Sequence, residues 1–318
     1  MKATTVIVDK KLSFLLLLVT ITMTGQGVSL SKSLQDKPVA TPAQVISFSA
    51  GRSPEAILFD GTDIWVANQF SDNVMRLSAR DGFNLGTFPT GTRPVALAYD
   101  GENIWVANKF SDNVMKFLAR DGTLLDTIRV GKAPEGLAFD GSHIWIANGG
   151  DGTVTKLRPS DGASCTYIVG QRPMGLAFDG SNIWVANNNS NNVTKLRAKD
   201  GIKLGTFNAG KDPTGIALDG ENIWVTNFYS KSVTKLRGSD GSTVATISVA
   251  DGPAGIAFVN KQIWVTNHAT GSITQIDPRE GKVVNTFAVG KTPSSLTFDG
   301  FNIWVANGGS NTVSRVTP

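Results

Sequence analysis

Seven tryptophans, Trp65, Trp105, Trp145, Trp184, Trp224, Trp264 and Trp304, follow one another at intervals of forty residues five times and thirty-nine once. Such regularity means that one structural unit is repeated seven times, which constrains the fold more than any local propensity. The frame around each Trp is the same, as in Pro134-Glu-Gly-Leu-Ala-Phe-Asp-Gly-Ser-His-Ile-Trp-Ile-Ala-Asn148. After it come a loop, a Val-Thr-Lys-Leu-type segment, an Asp-Gly turn and a Thr-Ile-Arg-Val-Gly-type segment. In the third unit the four strand-like runs are a (Gly136 to Phe139), b (Ile144 to Asn148), c (Val154 to Arg158) and d (Tyr167 to Gly170). A period near forty with four short strands per unit predicts an all-β, seven-bladed β-propeller with four-stranded antiparallel blades.

The pattern within each unit fits a stack of blades. Strand b is apolar at successive positions, so both of its faces must be buried. Strand a alternates large and small, with Leu137 and Phe139 on one face and Gly136 and Ala138 on the other, which suits packing against neighbouring blades. Asp-Gly pairs recur between a and b (Asp60, Asp100, Asp140, Asp179, Asp219 and Asp299, each followed by Gly) and between c and d (Asp81, Asp121, Asp161, Asp200 and Asp240, likewise). These read as hairpin turns, because Gly accepts positive φ and Asp bonds its own backbone. Calcium is the competing reading of the aspartates, but no Asp-x-Asp-x-Asp loop or glycine-rich nonapeptide run accompanies them. The seventh unit supplies a, b and c only, whereas Gln44 to Ala50 reads as a strand d without a unit of its own. The two are expected to pair, one N-terminal strand completing the last blade, which removes open edges.

The N-terminus carries Lys2, Lys10 and Lys11, then an apolar run from Leu12 to Met23, then Gly25 and Gly27 at positions suited to cleavage. Residues 1–27 are therefore expected to be a secretory signal peptide, 28–43 a linker and 44–318 the propeller; an uncleaved anchor is the alternative. The expected location is extracytoplasmic, whether periplasmic, secreted or at the cell surface. Cys165 is the single cysteine, so no intramolecular disulfide is available, and its place in a d strand suggests packing. The net charge of +4 falls to about +2 without residues 1–27, too little to argue for nucleic acid.

Ile-Trp-Val-Thr-Asn at 223–227 and 263–267, Ile-Trp-Val-Ala-Asn in blades 1, 2, 4 and 7, the following Asn-x-Val and the closing Val-Gly-Lys-x-Pro resemble the YVTN family of propeller repeats. That family includes YncE-like periplasmic proteins and archaeal surface-layer proteins. The resemblance covers 44–318, with Trp replacing the usual Tyr, and implies architecture rather than activity. More distant resemblances by unit shape are to NHL-repeat proteins and to the virginiamycin B lyase and gluconolactonase groups, the last two metal-dependent enzymes.

Strand direction alternates, so the a–b and c–d turns share one face and the b–c and d–a loops share the other. The latter face varies between blades and is the expected binding face. Its d–a loops place a cation one or two residues before the proline in six blades, Arg52, Arg93, Lys132, Arg172, Lys211 and Lys291, with Asp251 the exception. This reads either as a broken basic ring for an acidic ligand or as a repeated solvated turn charge. Strand b ends in Asn68, Asn108, Asn148, Asn187, Asn227, Asn267 and Asn307, residues that either cap the b–c turn or contact a ligand. Phe70, Phe110 and Tyr229 stand two positions beyond in blades 1, 2 and 5, as partner anchors or as lids over their own blades. The two histidines, His143 and His268, are expected on opposite faces. Glu55, Glu135 and His268 are the best metal-site candidates, too few for a convincing centre. The sequence thus points to a non-catalytic, monomeric binding scaffold without a cofactor, its partner a protein, a surface glycan or an anionic small molecule. The alternative is a lyase or lactonase using a divalent metal ion.

Overall fold

The computed structural model describes residues 18–24, 27–33 and 44–317, in two units, 1–43 and 44–318. In the first unit Leu18–Thr24 pairs antiparallel with Gly27–Ser33. The lysines and Gly25 of the expected signal peptide lie outside the described residues. In the second unit seven four-stranded antiparallel sheets succeed one another, each in the order a-b-c-d. Blade 1 is Pro54–Phe59 (a), Asp63–Asn68 (b), Asn73–Ser78 (c) and Asn84–Pro89 (d). Consecutive a strands touch all the way round, including Pro293–Phe298 of blade 7 against Pro54–Phe59 of blade 1, so the ring is closed. The fold is a seven-bladed β-propeller. Blade 7 takes Gln44–Ser49 as its d strand, in register from Gln44 opposite Thr317 to Ser49 opposite Thr312.

Strand limits differ from expectation mostly at the outside of the blade. In blade 3, strand d runs Ser164–Ile168, three residues earlier than its apolar pattern suggested. The edge strand begins directly after the c–d turn because its ladder needs only backbone groups, and its side chains face solvent except Tyr167, which stacks on Trp145. Cys165 lies there exposed, which corrects the expectation that it packs. Strand a starts at the proline itself in every blade, a first-strand position where the missing N–H costs nothing.

The tryptophans hold neighbouring blades together. Trp65 of blade 1 packs with Ile104, Val106 and Phe117 of blade 2, and Trp304 of blade 7 packs with Ile57, Ile64 and Val66 of blade 1. In six blades the indole Nε1 donates to the Asp of the a–b turn at 2.6–2.8 Å. The same aspartate accepts two backbone N–H groups, as Asp60 does from Thr62 and Asp63. Burial pushes the carboxyl of Asp179 up, but the Trp184 indole, Asn182 and the turn amides outweigh it and hold it below the usual range. Carboxylates so fully engaged by donors have little left for calcium. Blade 6 has Val259-Asn260-Lys261 at this turn and forgoes the bond, with Asn260 and Lys261 both at positive φ.

A second contact crosses between blades from strand c. Lys156, Lys195 and Lys235 each lie over their own blade's indole and donate to a carbonyl at the c–d turn of the next blade, Ala198, Gly238 and Pro278, at 2.7, 2.7 and 2.9 Å. Arg315 does the same from blade 7 to Arg80 of blade 1 at 2.8 Å. The exception is blade 6, with Gln275, and its neighbour blade 7 has no c–d turn to receive a donor, because its d strand comes from residues 44–49. Around the axis the a strands crowd. A Cβ on Gly136 would collide with the Met174 carbonyl oxygen, and one on Gly175 with that of Thr214.

Candidate functional site

The central channel opens on the b–c/d–a face into a cavity of about 380 Å³. Strand a, with Phe228 and His268, lines it, and three columns of the repeat stand around its mouth. The residue after each proline heads strand a: Glu55, Val95, Glu135, Met174, Thr214, Ala254 and Ser294. The residue before each proline sits at positive φ, 61° at Arg93 and 50° at Arg172, a left-handed turn imposed on bulky side chains. Side-chain acceptors from the preceding blade hold it there, the Arg93 amide bonding Asp72 Oδ1 and the Ser53 amide Asn311 Oδ1, both at 2.8 Å. The third column follows the strand-b asparagine: Gln69, Lys109, Gly149, Asn188, Phe228, His268 and Gly308. Its backbone N–H bonds the carbonyl of the residue before the proline in all seven blades, for example Lys109 to Arg93 at 2.9 Å.

These columns build a polar network across blades 1 to 4, in two hydrogen-bonded groups whose charges meet at Glu55. Gln69 Nε2 donates to Ser53 Oγ at 3.0 Å and to Glu55 Oε2 at 2.8 Å, while its Oε1 accepts from Arg93 Nε at 2.9 Å. Glu135 meets Lys109 Nζ at 3.0 Å and Arg172 at 3.2 and 3.3 Å, and Arg172 also donates to Asn188 Oδ1 at 3.1 Å. Burial pushes the Glu55 carboxyl up to about 7; Arg93 and Lys109 pull against that and Glu135 adds to it. Blades 5 and 6 contribute rings instead. Phe228 meets Tyr229 edge-on at 5.4 Å and His268 at 5.7 Å between centroids. Burial pushes the His268 imidazole down, which favours its neutral form.

The six cations of the d–a loops do not form a single tier. Arg93 and Arg172, immediately before their prolines, join the network at the mouth. Arg52, Lys132, Lys211 and Lys291 stand one residue earlier and are exposed, with no side-chain partner among the described residues. Asp251, in the same column, pairs with Lys231 at 2.7 Å. The seven asparagines closing strand b are completely buried. Their amides donate to the first strand-c residue, as Asn68 does to Asn73 at 2.9 Å, and in blades 4, 5 and 7 their oxygens accept the d–a glycine N–H. They fasten the loops and present nothing to a ligand, so only the capping alternative fits their geometry.

Phe70, Phe110 and Tyr229 are 53%, 60% and 68% exposed, so none of them folds away over its blade. Phe70 and Phe110 enclose the Arg93 guanidinium between them, at 5.3 and 4.9 Å from their ring centroids. His143 lies in an a–b turn, bonded to Ser142 at 2.8 Å, while His268 lines the cavity; the two share no site. Among the described residues no group of three or more His, Cys, Asp or Glu side chains is placed to share a metal ion. Glu55, Glu135 and His268 do line one cavity, but Glu135 is engaged by two cations and Arg93 stands close by, a poor donor set for a divalent ion.

Gln69, Lys109, Asn188 and Phe228 were not anticipated. The signal for them is that the column after the strand-b asparagine changes chemistry in almost every blade, while the strand-b positions before it repeat.

No protein-family profile matches the chain, and no curated protein matches it. Solved structures do. Virginiamycin B lyase from Staphylococcus aureus is similar over 87% of this chain and 99% of its own, with a TM-score of 0.76 at 16% identity. Kuenenia stuttgartiensis hydrazine synthase is similar over 90% and 99%, with a TM-score of 0.75 at 19% identity. The WD40 repeats of RRP9 are similar over 86% and 97%, with a TM-score of 0.76 at 16% identity. At such identities the likeness shows the propeller fold alone, and it is shared by lyases and WD40 proteins.

Proposed function

We propose that this chain is a non-catalytic binding scaffold that engages its partner through the b–c/d–a face of the propeller. The observation that carries the reading is the Phe70–Arg93–Phe110 stack. Two exposed rings and a guanidinium break the repeat where the loops vary, and aromatic and Arg anchors of this kind concentrate binding energy. WD40 propellers among the similar structures support an interaction role. A protein, a surface glycan and an anionic small molecule all suit this surface. The apolar run at Leu12–Met23 supports delivery outside the cytoplasm; N-terminal sequencing of exported protein, starting near residue 28, is its check.

The test is a thermal-shift panel of metals, sugar acids, nucleotides and anionic glycans on the protein, repeated on the triple variant Arg93→Ala, Lys132→Ala, Arg172→Ala. A ligand-induced shift abolished in the variant is the expected outcome. Shifts that the variant leaves unchanged for every ligand remove this face as the site.

A second reading, as a lyase or lactonase, is favoured by one observation: Glu55, with a pKa of about 7, shares the cavity with a neutral His268, an acid–base pairing suited to proton transfer. Its metal-dependent form finds no fitting donor set. Turnover of a lactone or streptogramin that Glu55→Gln abolishes would favour the enzyme and overturn the scaffold.

A further inference from the structure

The channel cavity is chemically two-sided. Blades 1 to 4 bring charge and amides to its rim, blades 5 and 6 bring Phe228 and His268. Three residues below each proline, roughly 10 Å down strand a at the usual rise, Ile57, Leu137, Ile216 and their four counterparts make an aliphatic ring. Spare hydrogen-bonding capacity on the rim is unevenly distributed. Gln69 is spent on Ser53, Glu55 and Arg93, and Arg172 uses all three of its nitrogens on Glu135 and Asn188. Arg93 engages only Nε, leaving both terminal nitrogens without a side-chain or backbone partner among the described residues. Lys109 gives one contact, to Glu135, of the three its ammonium can make.

We propose that this cavity binds a small monocarboxylate with an apolar body, its carboxylate held between Arg93 and Lys109 and its body set against Phe228 and the aliphatic ring. The inference rests on the scaffold reading for its choice of face and goes beyond it in naming the ligand. Three cations face two carboxylates there, so one positive charge is left for a single anion, and organic cations are repelled. A cavity of about 380 Å³ suits a small molecule rather than a folded partner. Glu55 faces Arg93, Lys109, Gln69 and Glu135, with His268 also on the cavity wall, and its protonation removes a negative charge beside the site. Binding therefore strengthens from pH 8 to pH 6.

The test is calorimetric titration of the full chain with phenylacetate, against acetate, phenylacetamide and benzylamine as probes lacking the body, the charge or its sign. The expected result is saturable phenylacetate binding, at least about tenfold weaker in Lys109→Met and in Phe228→Ala and unchanged in Phe301→Ser on the opposite face. Phe228→Leu replaces Phe228→Ala if circular dichroism shows that the latter does not fold. No saturable phenylacetate binding, equal binding of benzylamine or of phenylacetamide, or unchanged affinity in Lys109→Met would each overturn the proposal. If phenylacetate fails while other ligands of the panel still depend on Arg93, Lys132 and Arg172, the scaffold reading stands and only the ligand class falls.

Discussion

Glu55 is the residue whose surroundings most change its chemistry. Burial at the channel mouth raises its pKa from an ordinary carboxylate value to about 7, despite Arg93 and Lys109 nearby. The folded state thus holds this proton more tightly than the unfolded chain does. The associated stability is fully present below the unfolded pKa and is lost as pH rises through 7. Glu55→Gln, which preserves the acceptor for Gln69, is expected to leave the melting temperature unchanged at pH 4 and to raise it at pH 8. The gain is bounded by roughly 3 kcal/mol and reduced by water in the channel. Equal shifts at the two pH values would show that the site does not perturb this carboxyl. A carboxylate followed by Ala-Ile-Leu-Phe is visible in the sequence; its environment is not, because Gln69, Arg93 and Lys109 reach it from loops fourteen to fifty-four residues away.

At the scale of elements, the recurring device is the strand-c cation that lies over one blade's indole and bonds the next blade's turn. Lys195 is 8% exposed and donates to Gly238 O at 2.7 Å, 4.7 Å from the Trp184 ring centroid. Replacing it with Met keeps the stem but leaves a half-buried carbonyl short of its charged donor, at an expected cost of about 1–3 kcal/mol in urea unfolding. Gln275→Lys in blade 6 is expected to give no compensating gain, since blade 7 has no c–d turn opposite it. A loss at Lys195 no larger than that of an exposed lysine such as Lys203 would rule out the cross-blade contact. The repeated Lys was legible in Val-Thr-Lys-Leu, but alternation alone reads it as a solvent-facing strand residue. Only the stacking of blades turns that side chain onto a neighbour.

At the scale of the whole molecule, closure depends on Gln44–Ser49 pairing with Thr312–Thr317. Phe48 from that strand stacks on Trp304 at 5.4 Å, so the N-terminal strand completes both a hydrogen-bond ladder and a core. Deleting residues 44–49 is expected to lower the melting temperature far more than deleting 28–42; equal melts for the two deletions would refute closure by this strand. The Asp-Gly face is nearly uniform because six of its seven a–b turns do the same work for their Trp, while the opposite face is released from that duty and varies. The sequence by itself determined the seven blades, the buried strand b and the split last blade, because each follows from periodicity and from which residues tolerate burial or positive φ. Tertiary structure alone decided what the variable residues do. It divided six similar-looking cations into two tiers, decided between capping and ligand contact for seven buried asparagines, and gathered Gln69, Lys109, Asn188 and Phe228 around the channel mouth. The physical reason is that a channel is formed between blades: a residue faces it through the radius and tilt of its strand in the closed ring, quantities that no single repeat encodes.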